Sequence, residues 1–569
     1  MKEIDVKEKS LEIQKIISRY TKESFVCFFA DFIRHHPERS NIGFSQKFKS
    51  KLKDSQYLIM LRLSSSIEGE EELYYSPEND TILQKVADLL LEIVSFYLGG
   101  YGNLDNSLAI EDERHRKLIH ELAFKDYFQN GVLNYREQEL NKVIRLFYPF
   151  KTKIKERLGI EMQTLIDICD FSEKFYQQKA IETKSFILNK DFAKLAKKSV
   201  SEELPQGDFL KELSSLSNNI HDDFLDFFYR PHNCLLYSKS DYQKQFDIKS
   251  IDIFCDLFSI DIADSFNYLF YSQENPIDSK PIIKLNDSEY LNVYQKQLPT
   301  ALYNLLYKVL SSTKKEKERL DRRKGKVILE NHTKEVFEKF FNKSKYTRVF
   351  TNYYINNHPE EKDILIISDR VAYIIECKSS RNREPRRNLK EAYQRIKSDF
   401  NDCIQKGYNQ CYQVEKEILN NKEICIKHQN DEDTILTSEI RELFSIVVTS
   451  ERFASIQSDL GLLLKRNDDE DIYPWSVYID DLETFLKTLK IKFNNAERRF
   501  TEFLEYRELL NERLFARDEL DVCALYIKDP IEFRKICESE EYIITDPYLQ
   551  GNFDQLYFNK KLKFKILNA

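Results

Sequence analysis

Three side chains in this sequence are of types, and at spacings, that could do chemistry together: Asp363, Glu376 and Lys378. They lie in KDILIISDRVAYIIECKSS, from Lys362 to Ser380. Two apolar runs rich in β-branched residues, Ile364 to Ile367 and Val371 to Ile375, are separated only by Ser368, Asp369 and Arg370. That is hairpin spacing with turn chemistry. Asp363 opens the first strand, and Glu376 and Lys378 end the second, where an apolar strand would otherwise continue. Alternation along a strand puts Glu376 and Lys378 on one face and Cys377 on the other. The spacing therefore predicts two carboxylates and a lysine converging at the end of one hairpin.

Such a grouping suits a hydrolytic site built on a hard cation. Magnesium prefers oxygen ligands in near-octahedral geometry and is usually held by one or two carboxylates, waters and substrate phosphates. Asp363 and Glu376 can supply the carboxylates, and the backbone carbonyl of Cys377 a further oxygen. Lys378, a compact ammonium, can hold or help deprotonate an attacking water and offset charge developing on a phosphate. Acid-x-Lys triplets are common in a chain that is 32% charged, and Asp5-Val6-Lys7, Asp247-Ile248-Lys249, Asp278-Ser279-Lys280 and Glu360-Glu361-Lys362 all fit the bare pattern. None of those ends an apolar strand that follows a strand headed by an acid. The competing reading of Glu376 and Lys378 is a cross-strand ion pair on a solvated sheet face; the motif in its strand context favours a site.

In its order of acid, acid and lysine the stretch resembles the PD-(D/E)xK nuclease superfamily, with Asp363 as the first acid, Glu376 as the second and Lys378 as the lysine. Lys362 stands where that pattern has its leading proline, a position often varied in the superfamily. The resemblance covers roughly Lys324 to Lys490. It implies a restriction-endonuclease-like fold and metal-dependent hydrolysis of phosphodiester bonds with Mg2+ or Mn2+. It also implies nucleic acid as partner, DNA ahead of RNA, and a role in bacterial restriction or phage defence.

Two further residues enter through the resemblance. The helical stretch Val327 to Phe341 carries apolar residues at Leu329, Val336 and Phe340, with Ile328, Phe337 and Phe341 widening the stripe. Glu330 falls on the edge of that stripe, so the helical spacing turns it inward, and a superfamily glutamate on this helix often joins the metal site. Its alternative is an acid at a helix start, favourable to the macrodipole. A glutamine on the helix after the second strand is the other; within Glu391 to Leu419, Gln410 is the closest match and Gln413 the alternative, against a plain glutamine on a half-exposed helix.

Positive charge gathers on both sides of the hairpin. Arg381, Arg383, Arg386, Arg387 and Lys390 crowd RNREPRRNLK just after Lys378, a place for phosphate contacts beside a scissile bond. Thr313 to Lys326, TKKEKERLDRRKGK, reads first as a solvated helix face and, by its position before the hairpin, as a second place that could meet phosphates.

The elements that position these residues follow from the rest of the chain. At 569 residues, 41% hydrophobic and 13% aromatic, the sequence encodes several folded units. The expected class is α+β multi-domain: a mainly helical N-terminal region plus an α/β domain whose small mixed sheet is flanked by helices. The expected units are a helical accessory region at 1–235, a small α+β connecting segment at 236–321, the nuclease-like domain at 322–490 and a helical accessory element at 491–569. Helical periodicity marks Thr81 to Leu98, Glu137 to Leu158 and Leu298 to Leu310, with a hairpin at Ile282 to Val293. FSIVVT, Phe444 to Thr449, reads as a doubly buried strand and WSVYI, Trp475 to Ile479, as another, with Asp480 capping a helix from Leu482. The C-terminus ends in strand-like FKIL. His115 and His120 read as surface histidines.

The net charge of −8 excludes a protein basic all over, so nucleic-acid contact must come from local patches. The ten cysteines have no zinc-type spacing, and with no signal peptide or membrane-length apolar run the expectation is a cytoplasmic chain with free thiols and no membrane. No GxxxxGK loop occurs. The N-terminal helical region could serve a protein partner or a homo-oligomer. Two other functions stay open: a catalytically silent nucleic-acid-binding module, and a structural or interaction protein in which the charged hairpin is only a surface ion pair.

Overall fold

The computed structural model describes residues 5–35, 43–99, 110–129, 134–201, 205–216, 218–341, 347–356, 358–386, 388–428, 431–468 and 472–567. Among the described residues from Val6 to Tyr229 the structure is mainly helical. A four-stranded sheet follows, in which Ile282–Lys284 and Tyr290–Asn292 form the expected antiparallel hairpin. Asn286 accepts from the Ser288 and Glu289 amides at its turn, the Asx chemistry that makes this residue a turn former.

The C-terminal half is built on a seven-stranded mixed sheet. Its strands are β1 (Arg348–Ile355), β2 (Lys362–Ser368), β3 (Val371–Lys378), β4 (Glu423–His428), β5 (Asp431–Leu436), β6 (Glu442–Thr449) and β7 (Trp475–Tyr478), in the order β7-β6-β3-β2-β1-β4-β5. β2 and β3 pair antiparallel through a two-residue turn in which Asp369 and Arg370 both have positive φ, 46° and 72°. Those are the signs a tight hairpin needs to match strand twist. β6 runs parallel to both β3 and β7, and its residues Ser445 to Thr449 are all buried, as a strand covered on both faces must be.

Helices cover each face. α1 (Asn331–Phe340) lies on one side through Phe337 and Phe340, with α4 (Ile479–Lys492) and the helices Ala496–Glu508 and Glu519–Lys528, around Ile364, Ile366, Tyr373 and Ile375. The C-terminal segment thus shares a core with the sheet. On the other side, after α2 (Leu389–Phe400), α3 (Lys406–Asn420) brings Cys411, Val414 and Ile418 against Leu365, Ile367, Ile374 and Val447. The helix Arg136–Phe147 ties the N-terminal region to this unit: Arg145 forms a two-toothed pair with Glu335 at 3.0 and 2.6 Å, and Lys142 pairs with Asp480 at 2.6 Å.

Several sequence expectations change in the structure. The helix expected over Glu137 to Leu158 is split at Tyr148–Phe150, because Pro149 has no N–H to continue the ladder. Tyr478, not Asp480, stands at the N-cap of α4; Asp480 is drawn to Lys142 and the Tyr478 hydroxyl instead. FKIL is irregular, with Phe564 stacked on Tyr135. His120 is buried, since its helix, Ile110–Gln129, packs Ile119 and Leu122 into a core with Ile396, Phe400 and Phe453.

Candidate active site

The β2–β3 register that pairs Ile364 with Ile375 leaves Asp363 and Glu376 as the next pair outward, at the end of the ladder. There the side chains replace strand hydrogen bonds. The Cys377 amide donates to Asp363 Oδ2 at 2.7 Å, and the Asp363 amide points at Glu376 Oε1 at 3.5 Å. Lys378 Nζ lies 2.7 Å from Glu376 Oε2 and 3.6 Å from Asp363 Oδ2. The Lys378 carbonyl accepts from the Ser450 amide at 3.2 Å, which fixes the strand end against the segment after β6.

These charges are inside the protein. Glu376 is 1% exposed and the Lys378 side chain 12%, so the pair is not the solvated surface bridge that its sequence also allowed. Burial pushes the Glu376 carboxyl up to about 7. Lys378 opposes that rise, Asp363 adds to it and Lys362 opposes it. The ammonium at 2.7 Å and the burial pull in opposite senses, and burial prevails because the low dielectric penalises the ionised form while a second carboxylate stands alongside. Burial also works against the Lys378 ammonium, but the charges of Glu376 and Asp363 outweigh it and its proton is held more tightly than usual.

Two helical segments close over this end of the sheet, each through a π turn and a glycine. Lys324–Glu330 is a π-helix running into α1, and Asn401–Gln405 is a π-helix running into α3; such turns concentrate at functional sites. A Cβ on Gly407 would lie 2.7 Å from Val447 Cγ1 and 3.3 Å from Lys378 Cγ, so α3 can approach the lysine this closely only with glycine there. A Cβ on Gly325 would lie 3.0 Å from Ser379 Oγ, which sets the other segment against the residue after Lys378. One turn beyond Gly407, Gln410 has a buried Oε1 with no hydrogen-bond partner among the described residues. Gln413 accepts from Lys362 Nζ at 2.5 Å.

Residues 328–449 match the family model described as NERD, nuclease-related domain. This region is a nuclease-related domain. It belongs to the restriction-endonuclease-like PD-(D/E)xK superfamily. Neither the curated proteins nor the solved structures give a significant match to the chain.

Within the nuclease-related domain the structure brings Asp363, Glu376 and Lys378 together and sets Gln410 on the covering helix. Glu330 ends the π segment, half-buried, with Lys326 Nζ at 3.3 Å. No group of three or more His, Cys, Asp and Glu side chains gathers as a metal site among the described residues, so Glu330 does not join the two carboxylates in a cluster. The Cys377 thiol is turned into the core, where burial pushes its pKa far up; only its backbone carbonyl is left to act as a ligand. Arg381 is held by the Tyr307 hydroxyl at 2.6 Å and Asp321 at 3.1 Å, and Arg383 by Asp399 at 2.7 Å. Arg386 and Lys390 are exposed, and Arg387 lies outside the described residues.

Two residues were not singled out from the sequence. Lys362, at the place of the superfamily proline, is 0% exposed and is a second cation acting on Glu376. Tyr353 is fully buried, its hydroxyl has no hydrogen-bond partner among the described residues, and Glu376 and Asp363 both act on it. The signal for both was register. Tyr353 pairs with Lys362 across β1 and β2, one step from the pair that holds Asp363. On that step Asn352 takes φ of 51°, a left-handed conformation that Asn tolerates better than most residues.

Proposed function

We propose that this chain is a nuclease that hydrolyses phosphodiester bonds in DNA, using Mg2+ or Mn2+. The observation that carries the proposal is the convergence of Asp363, Glu376 and Lys378 within 3.6 Å at a strand end inside a nuclease-related domain. The donor set fits a hard divalent cation. Two carboxylates meet the number magnesium commonly takes from protein, leaving positions for waters and substrate oxygens, and the orphaned Gln410 Oε1 and Tyr353 hydroxyl are buried polar groups that ordered water in such a site would satisfy. Asp363 and Glu376 would hold the ion, with the Cys377 carbonyl as a third oxygen. When bound, the ion supplies positive charge to the phosphate and makes water more acidic.

The chain's own residues supply the rest. Lys378, held as an ammonium, orients water by donating to it and offsets negative charge on the phosphate in flight. Gly407 lets α3 press on the lysine's stem, which holds its head in place. Lys362 and Gln413 fix the far side of the carboxylates. A role in restriction or phage defence accords with the superfamily. Cleavage of linear, circular and single-stranded DNA and of RNA, with each metal and with EDTA, tests the proposal. Metal-dependent product from DNA supports it, and intact substrates under every condition overturn it.

A further inference from the structure

The helix Lys314–Arg323 forms the wall of a groove of about 1060 Å3 lined by Phe150, Lys314, Lys315, Arg319, Arg322 and Lys326, among others. From Lys314 to Lys326 the sequence has eight Lys and Arg against three Asp and Glu, in a chain whose net charge is −8. The five groove cations just named are exposed. Lys315 and Arg322 have no ion pair or hydrogen bond through their side chains among the described residues, whereas Arg381 and Arg383, in the loop after the lysine strand, are taken up by Tyr307, Asp321 and Asp399. Arg319 lies over the Phe150 ring at 5.0 Å.

The groove also leads to the catalytic strand end. Lys326 Nζ is 3.5 Å from Asn352 Oδ1, and Asn352 stands between Thr351 and Tyr353, whose partners Ile364 and Lys362 flank Asp363. Gly325 abuts Ser379, and Arg381 ties the loop after Lys378 to the basic helix through Asp321. Glu318 also lines the groove and pairs with Lys314, and Glu330 pairs with Lys326, but the cations still outnumber the acids; like charges self-repel, so this excess on one wall signals a polyanion that neutralises it.

We propose that this groove is the track along which the phosphate backbone of the nucleic-acid substrate reaches Asp363 and Glu376, an inference that rests on the nuclease reading above. A helix of ten residues is about 15 Å long, the length of roughly four base-pair steps measured along a duplex axis. Lys315 and Arg322 make the contacts, Arg319 adds a charge steadied on Phe150, and Lys326 hands the strand to the site.

The test is binding of labelled duplex and single-stranded oligonucleotides across a range of salt, in a Lys378→Ala background with EDTA present, so that the oligonucleotides stay intact. Adding Lys315→Glu and Arg322→Glu should weaken binding at least about ten-fold. Lys315→Ala with Arg322→Ala should lower the salt slope by roughly 1.4 to 1.8, since each lost phosphate contact removes about 0.7 to 0.9. Circular dichroism should not change, because neither side chain has a partner among the described residues. Variants that bind and titrate with salt like their parent, beside a wild type that cuts, overturn the track and leave the nuclease standing. A wild type that neither binds nor cuts any nucleic acid overturns both.

Discussion

Glu376→Gln, made and compared with wild type in EDTA, isolates the electrostatics on which the site depends. The change keeps the side chain's shape at a position 1% exposed and removes its titration; it also replaces one of the two oxygens that accept from Lys378 and the Asp363 amide, a loss present at every pH that offsets the curves without giving them the slope sought. The wild-type carboxyl rises from an ordinary 4.5 to about 7. Between those values the folded protein binds a proton that the unfolded chain releases, so stability contributed by this group is complete below about 4.5, falls as pH rises through 7 and is level above it. A shift of that size corresponds to roughly 3 kcal/mol at 1.36 kcal/mol per unit. Other buried acids, such as Asp54 and Asp481, each pushed up to about 6, titrate in both proteins and cancel in the difference. Thermal melts from pH 4.5 to 8 should therefore show the variant gaining on wild type by several degrees, at about 2–4 °C per kcal/mol for a unit of 150–250 residues. Were Lys378 to prevail over burial, the carboxyl would fall below its ordinary value and wild type would gain on the variant as pH rises. That opposite slope, or parallel curves, refutes the reasoning.

Three other outcomes follow from the same geometry. Asp363→Asn removes a repelling charge and a ligand together, so thermal melts with Mg2+, Mn2+ or Ca2+ should show a stabilising shift for wild type that largely vanishes in the variant; equal shifts would remove Asp363 from the ligand set. Gly407→Ala puts a methyl 2.7 Å from Val447 Cγ1, which should cost about 1–3 kcal/mol of overpacking and lower kcat by pushing α3 off Lys378; a variant with unchanged melting and rate would show that the close approach is unimportant. Lys362→Met deletes a buried cation that holds the Glu376 carboxyl down, so the acidic limb of the pH–rate profile should move to higher pH, and an unmoved limb would separate Lys362 from the site.

The sequence carried the hairpin because two β-branched runs and a turn are local, and the acids and lysine could be assigned to one end by counting along the strands. The doubly buried β6 was legible for the same reason. What depended on contacts between distant segments was not. His120 looked solvated because its helix alternates charges, yet Ile119 and Leu122 take it into a core with Ile396 and Phe453. Glu330 was placed by a period of 3.6 residues, whereas Lys324–Glu330 is a π turn with more residues per turn, so its phase does not follow from the α-helical spacing. Lys362 stood in view as a departure from the proline pattern, but only the pairing of Tyr353 with Lys362 and the reach of Gln413 from α3 reveal it as a buried neighbour of Glu376. That Lys315 and Arg322 have no side-chain partner among the described residues, against the engaged Arg381 and Arg383, likewise needed the fold, since both basic runs look alike as text.

The most direct test is a cleavage time course by purified wild type and Lys378→Ala on DNA, with Mg2+ or Mn2+ and with EDTA, alongside a binding measurement on the same preparations. Lys378 ends its strand and, although its side chain is only 12% exposed, it belongs to neither apolar cluster of the sheet, so the variant should keep its helical content and bind DNA while cutting at no more than about one part in a hundred of the wild-type rate, the scale on which removing a single transition-state donor acts. A Lys378→Ala protein that cuts as fast as wild type would place the chemistry elsewhere in the chain.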